Sequence, residues 1–184
     1  MDKTVLIPIA NGTEEMEAVI VADMLRRAGI SVKIAGDNEI VTCSRGVKII
    51  PDIMLDELDI DDSYSAIVIP GGLGGVENLM KHETLDILLR KHIQAGAIVG
   101  AICAAPMLLA RKKMLPDGIE ITSHPSVRDF FDNYIYAQEN VVIENNIITS
   151  RGAGTAFEFA LTLIAELAGE DYVRKISKDI LLSI

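Results

Sequence analysis

Short apolar runs alternate with amphipathic helical segments along this chain, and this alternation constrains its fold more than any other feature. Thr4 to Ala10 is typical of a buried strand. Thr13 follows as the expected N-cap of a helix that runs to Arg27 and ends at Gly29, and Ser31 to Ala35 is the next strand. A strand, a helix and a strand in this order predict a parallel pair with a right-handed crossover.

The same alternation continues towards the C-terminus. Further strands are predicted at Ser65–Pro70, Ala97–Ile102, Glu120–Ser123, Val141–Ile143 and Ile147–Ser150. Further helices are predicted at Glu83–Gln94, Ala104–Lys113 and Thr155–Leu167, the last opened by a capping box of Thr155 and Glu158. Ile40 to Met54 is predicted as a β-rich excursion, a hairpin. The pattern therefore indicates an α/β fold, residues 1–184 as a single domain, with a mostly parallel sheet covered by helices on both faces.

Composition excludes several partners. The formal net charge is −10, and Lys and Arg form no basic run, which argues against nucleic acid and against an anionic membrane surface. The longest apolar run, Ile98 to Ala110, is too short to cross a bilayer. The first residues show no secretory cleavage pattern, so we expect a cytoplasmic protein in which Cys43 and Cys103 are free thiols.

Four residues that follow predicted strands or turns are expected to lie at one edge of the sheet. Ligands of parallel sheets bind beyond the carboxyl ends of the strands. On that rule Gly12, Gly71, Cys103 and His124 share one rim. The rule predicts a pocket there and leaves its chemistry open.

Cys103 is the first candidate for a reactive atom. It stands between the strand Ala97–Ile102 and a helix that begins near Pro106, as nucleophiles do at strand-to-helix turns of many α/β enzymes. Unpaired N–H groups at a helix N-terminus favour a thiolate, so we expect a lowered pKa. The alternative is a small buried hydrophobic residue, which is also the expectation for Cys43.

Glu17 is the second candidate. Helical spacing places it in line with the apolar stripe that faces the sheet, which consists of Ile20, Val21, Met24 and Ala28. The alternative is an amphipathic position at the edge of that stripe. Burial would raise its pKa and the helix N-terminus would lower it. If burial dominates, Glu17 is protonated near neutral pH and donates a hydrogen bond to a Cys103 thiolate. The neighbouring Glu14 and Glu15 are expected to be solvated.

Other polar groups complete the predicted site. His124, held extended by Pro125, is a candidate acid or base, and its alternative is a structural histidine. The backbone N–H groups of Gly72 and Ala104 are expected to converge on an oxygen that develops negative charge. The glycine-rich run 70–75 does not have a nucleotide-binding spacing, and no metal-ligand spacing is present, so neither a cofactor nor a metal is expected. His82 and His92 are expected to be exposed.

The motifs NGTEEMEAV, VIPGG, AICAAP, SHP and TSRGAGTAFEFAL, in this order and at these spacings, resemble the ThiJ/PfpI superfamily. The similarity is closest to the DJ branch, which contains the Parkinson-disease-associated protein deglycase. This resemblance implies a flavodoxin-like sandwich related to class I glutamine amidotransferases, usually homodimeric, with a cofactor-free cysteine site. It implies Cys103 as nucleophile, Glu17 as its protonated partner, Gly72 and Ala104 as backbone donors and His124 as a pocket residue. It also implies that Arg45 and Arg151 lie near the pocket or the dimer contact.

Three functions fit this resemblance. The first is an enzyme acting on a small reactive carbonyl substrate, either a glutathione-independent glyoxalase that converts methylglyoxal to lactate or a protein deglycase. The second is an oxidative-stress sensor or redox chaperone in which Cys103 is oxidised. The third, a cysteine peptidase, has less support because His124 has no obvious orienting acid in the sequence.

Overall fold

The computed structural model describes residues 3–183, and within them an α/β sandwich is built on a seven-stranded sheet. The eleven strands described are β1 (Thr4–Ile9), β2 (Ser31–Gly36), β3 (Val41–Thr42), β4 (Lys48–Ile49), β5 (Ile53–Met54), β6 (Ala66–Ile69), β7 (Ile98–Ile102), β8 (Glu120–Ile121), β9 (Ile135–Tyr136), β10 (Val141–Glu144) and β11 (Ile147–Ser150). The main sheet has the order β10-β11-β7-β6-β1-β2-β5. Its pairs are parallel except β10 with β11, which confirms the predicted mostly parallel sheet.

Helices cover both faces of this sheet, as predicted. The α-helices described are α1 (Glu15–Arg27), α2 (Leu73–Leu79), α3 (Glu83–Gln94), α4 (Pro106–Arg111), α5 (Ala156–Ala168) and α6 (Glu170–Asp179). Side chains of β1 alternate between the two faces. Val5 and Ile7 pack with α1 and α5, whereas Leu6 packs with α2, α3 and α4. Each face therefore has its own apolar core.

Local polar contacts shift several predicted helix boundaries. Thr13 does not cap α1, because its Oγ1 accepts the N–H of Ala10 at 3.0 Å and closes the end of β1 instead. The capping box predicted before α5 is absent: Thr155 Oγ1 accepts the N–H of Gly152, and Glu158 accepts a hydrogen bond from Asn140. Helix α4 is shorter than predicted and begins at Pro106.

The predicted β-rich excursion is confirmed and has two parts. Strands β3 and β4 form an antiparallel hairpin, while β5 joins the main sheet beside β2. The predicted strand Glu120–Ser123 is reduced to β8, which pairs with β9 outside the main sheet. The short strand β9 was not predicted from the sequence.

Candidate functional site

Cys103 lies at a sharp turn directly after the central strand β7. Its φ is +63°, a left-handed conformation that is uncommon for residues other than glycine. Residues in this conformation are found most often at functional sites. Two hydrogen bonds hold the turn: the N–H of Cys103 donates to the carbonyl of Ser150, and its carbonyl accepts the N–H of His124, both at 2.9 Å. The neighbouring strand ends therefore fix the direction of the sulfur.

Glu17 projects from the inner face of α1 and is fully buried. Its Oε2 accepts the N–H of Gly71 at 2.6 Å. Its Oε1 has no partner with hydrogen-bond geometry among the described residues. Burial raises the pKa of Glu17 to about 7, although the Gly71 amide and the Cys103 side chain act to lower it. Of the two opposing effects weighed from the sequence, burial is therefore the larger.

Two glycines allow these groups to meet. A Cβ on Gly71 would lie 2.5 Å from the Cβ of Cys103 and 2.7 Å from Oε2 of Glu17, which is too close for any side chain. Gly72 has a φ of +83°, and a Cβ there would lie 2.2 Å from the carbonyl oxygen of Gly12. The glycine run after β6 therefore serves close backbone packing around Cys103 and Glu17.

The predicted lowering of the Cys103 pKa is wrong. Burial, with a smaller contribution from the charge of Glu17, raises the pKa of the thiol to about 12. The backbone N–H groups of Gly72 and Ala104 act to lower it, so both predicted donors face the sulfur. Helix α4 starts three residues after Cys103 and has six residues, too little to outweigh desolvation.

Glu17 and Cys103 are a coupled pair, because each affects the pKa of the other. Losing one proton from the pair leaves a single negative charge that either the carboxyl or the sulfur can carry. In the form with Glu17 protonated, the repulsion between the two charges disappears and the unpartnered Oε1 supplies a donor. The buried carboxyl is thus able to take the proton of the thiol.

His124 lies at the rim with its side chain exposed. Its Nδ1 contacts Ser126, at 2.8 Å from Oγ and 3.2 Å from the backbone N. In the described part of the chain no carboxylate is hydrogen-bonded to this imidazole, so the arrangement of a Cys-His-acid triad is not formed.

The rim encloses a cleft of about 570 Å³. Its lining includes Cys103, Glu17, Gly72, Ala104, His124 and Arg45. A second cleft of about 430 Å³, which contains Arg151, shares His124 and Ala153 with the first. The structure therefore brings the predicted site residues to one cavity, with Arg45 and Arg151 on its borders.

Glu15 differs from its prediction, because it is buried and not solvated. Its carboxylate accepts hydrogen bonds from Ser44 Oγ and from the N–H groups of Arg45 and Val47, at 2.9 to 3.4 Å. Burial acts to raise its pKa, and these bonds outweigh burial so that the pKa lies below its ordinary value. Glu15 therefore anchors the β3–β4 hairpin to α1. The residues next to Glu15 in the sequence gave no sign of this role.

Two further predictions concern residues away from the cleft. Cys43 is buried and free, as expected, and burial raises its pKa to about 11. His92 is buried and not exposed, because its Nε2 accepts the N–H of Tyr64 and its Nδ1 contacts the carbonyl of Leu88. Across residues 3–183 no group of three or more potential metal ligands is found, and no helix there is long and apolar enough to cross a membrane.

The protein is thus an α/β sandwich with a cysteine at a strand-to-helix turn beside a buried glutamate. The model of the DJ-1/PfpI family matches residues 3–166. The chain is 44% identical to Protein dj-1beta of Drosophila melanogaster, covering 100% of this chain and 99% of that protein. It belongs to the DJ-1/PfpI family.

Other relatives support this assignment. The crystal structure of Drosophila melanogaster DJ-1beta superimposes with a TM-score of 0.95, covering 100% of both chains. A structure of oxidised Toxoplasma gondii DJ-1 gives a TM-score of 0.94 at 35% identity, covering 99% of this chain and 100% of that one. The glutathione-independent glyoxalase DJR-1.2 of Caenorhabditis elegans is 35% identical, covering 97% of this chain and 95% of that protein.

Proposed function

We propose that this protein is a cofactor-independent enzyme that converts small 2-oxoaldehydes, such as methylglyoxal, into 2-hydroxy acids at Cys103. The observation that carries the proposal is the buried Glu17 carboxyl, whose pKa of about 7 suits a group that both accepts and donates protons near neutral pH. The name of the Caenorhabditis elegans relative, a glutathione-independent glyoxalase, supports the same chemistry.

The first step is addition of the Cys103 sulfur to the aldehyde carbon. The S–C bond forms as the electron pair of the C=O bond moves to oxygen, and the thiol proton passes to the Glu17 carboxylate. The N–H groups of Gly72 and Ala104, which face the sulfur, lie where they can also stabilise the negative charge that develops beside it. Glu17 then gives this proton to the oxyanion, so that the product is a hemithioacetal and Glu17 is again a carboxylate.

The second step is an internal redox exchange between adjacent carbons. Glu17 removes the proton from the former aldehyde carbon, an enediol forms, and a proton returns to the neighbouring carbon. The first carbon is oxidised to a thioester and the second is reduced to an alcohol, so no external oxidant is needed. Water then cleaves the thioester, which releases the hydroxy acid and restores the thiol.

Lactate formation from methylglyoxal tests this proposal. We expect steady turnover in the wild type, and loss of turnover in Cys103→Ala and in Glu17→Gln, since glutamine cannot carry the proton. Cys43→Ala is the matched control and keeps its activity, because Cys43 lies outside the cleft. A wild-type rate equal to that of buffer would overturn the proposal.

A deglycase activity would use the same residues on an early glycation adduct. Free aldehyde is in equilibrium with such adducts, so its removal alone lowers adduct levels. The two activities are separated by adding a chemical scavenger of free aldehyde: a deglycase still accelerates adduct loss, whereas a glyoxalase has no further effect.

A redox sensor is the second candidate function. Cys103 is partly exposed in the cleft, and the related Toxoplasma gondii protein has been solved in an oxidised form. Peroxide titration followed by intact mass and peptide mapping tests this function. First oxidation at Cys103 supports it, and first oxidation at Cys43 contradicts it. A peptidase is not proposed, because His124 is paired with Ser126 and, in the part of the chain that the structure describes, not with an acid.

We also propose a cytoplasmic homodimer formed by one domain per chain. Helix α1 exposes Met16 and Val19, each about half accessible, on the side opposite Glu17. Phe157, on the adjacent helix α5, is 40% exposed. Exposed apolar side chains on two helices that contact each other suit a surface that is covered by a partner. The free state of both cysteines fits a reducing compartment.

A further inference from the structure

The imidazole of His124 is held from one side by a single residue. Ser126 lies two positions further along the chain, in the 3₁₀ turn Pro125–Phe130. Its backbone N–H donates to Nδ1 of His124 at 3.2 Å, and its Oγ lies 2.8 Å from the same atom. In a neutral imidazole one ring nitrogen accepts and the other carries the proton. Because Nδ1 accepts from a backbone N–H, the proton belongs on Nε2.

The other side of the ring faces the cleft. Cδ2, the ring atom bonded to Nε2, lies 3.6 Å from the position of a Cβ on Gly152, and the sulfur of Cys103 lies 3.9 Å from that same position. His124 also lines the cleft that contains Cys103. Among the described residues no protein group is hydrogen-bonded to Nε2, so its proton is available to a bound molecule.

We propose that Ser126 is a positioning residue that holds His124 as its Nε2–H tautomer, so that His124 meets the substrate as a neutral hydrogen-bond donor and not as a base. The inference rests on the proposed function for its consequence, namely that Nε2–H donates to an oxygen of the bound carbonyl compound. Glu17 then remains the group that carries protons between carbon atoms.

The tautomer is measurable without any activity. Long-range ¹H–¹⁵N correlation spectra distinguish a protonated from an unprotonated ring nitrogen. His92 provides an internal standard for the other tautomer, in which the proton is on Nδ1. His92 accepts the N–H of Tyr64 at Nε2, so its proton is on Nδ1, towards the carbonyl of Leu88. With signals assigned by His124→Gln and His92→Gln, we expect the Nε2–H pattern for His124 and the Nδ1–H pattern for His92. An Nδ1–H pattern at His124 would overturn the proposal.

Kinetics with methylglyoxal test the role of Ser126. Ser126→Ala removes the closer partner of Nδ1, and we expect kcat/KM to fall by about tenfold, the effect of one hydrogen bond on a rate. Ser126→Thr keeps the hydroxyl and is expected to restore most of the loss. Unchanged kcat/KM in Ser126→Ala would contradict a positioning role.

Substitutions of His124 itself distinguish a role as a hydrogen-bond donor from a role as a general base. The side-chain amide of His124→Gln donates a hydrogen bond but does not accept a proton, so this variant is expected to retain clearly more activity than His124→Ala. Equal loss in both variants would overturn the donor role. If no variant and no wild type shows turnover, the proposed function fails, while the spectra still decide the tautomer.

Discussion

Among the single residues, Glu17 has an energetically unfavourable environment, because its carboxyl group is buried. A carboxylate without full solvation is costly, and its pKa of about 7 expresses that cost. One oxygen accepts the N–H of Gly71, and the other has no hydrogen-bond partner within residues 3–183. Sequence periodicity favoured this burial, because position 17 is in register with the apolar face of α1, but it was also compatible with a position at the edge of that face.

The raised pKa makes stability depend on pH. A folded-state pKa of about 7 against an ordinary 4.5 means that the folded protein binds this proton more tightly than the unfolded chain. The stabilisation is complete below pH 4.5 and is lost as pH rises through 7. Its size is roughly 3 kcal/mol. Glu17→Gln has no such loss, so we expect its unfolding free energy relative to wild type to increase by about that amount between pH 4.5 and pH 8.

Urea unfolding at several pH values measures this difference. Asp23→Asn, an exposed position on α1, is the control and is expected to show no comparable trend. A difference between Glu17→Gln and wild type that is constant from pH 4.5 to pH 8 would contradict the assignment.

Among the secondary-structure elements, the β3–β4 hairpin is held in position by hydrogen bonds to helix α1. Its backbone donates to the buried Glu15 carboxylate through Arg45 and Val47, and Ser44 adds its hydroxyl. The same hairpin contributes Ser44 and Arg45 to the cleft. Glu15 therefore links the first turn of α1 to one wall of the site.

Glu15→Ala leaves these donors without their acceptor. We expect a loss of about 2 kcal/mol in unfolding free energy, the cost of unsatisfied buried hydrogen-bond groups. We also expect faster hydrogen exchange at the hairpin amides. Asp23→Ala serves as the comparison, since its ion pair with Arg27 is exposed. Equal exchange at residues 43–48 in both variants would argue against the anchor.

The order of the main-sheet strands and of helices α1, α3, α4 and α5 was predictable from the hydrophobic pattern. Helices α2 and α6, strand β9 and the boundaries set by side chains were not. Thr13 and Thr155 both satisfy the rules for an N-cap, yet each bonds to a nearby strand end or turn. Both competing donors, the N–H groups of Ala10 and Gly152, lie three residues earlier in the chain, so the outcome depends on the local backbone conformation, which the capping rules do not specify. Likewise, helical spacing placed Glu17 and the strand-end rule placed Cys103, but the sign of the Cys103 pKa shift depends on how much water reaches the sulfur.

At the scale of the whole molecule, the exposed apolar surface of α1 predicts self-association. A charge at its centre is incompatible with an apolar contact, because it would be buried without a partner. Val19→Glu is therefore expected to convert a dimer to a monomer in analytical ultracentrifugation. Ile143→Glu, an equally exposed position on the edge strand β10, is expected to leave the mass unchanged. The same mass for wild type and Val19→Glu would contradict this interface.

The pH dependence of Cys103 alkylation shows whether Glu17 and Cys103 share one proton. The measurement uses iodoacetamide and a Cys43→Ala background, in which Cys103 is the remaining cysteine. The pair loses its first proton near the Glu17 pKa of about 7, so the alkylation rate of the parent protein is expected to rise through that pH. In Glu17→Gln the internal base is missing, and the rise is expected to move to higher pH. Identical profiles with and without the Glu17 carboxyl would show that the two side chains do not share a proton.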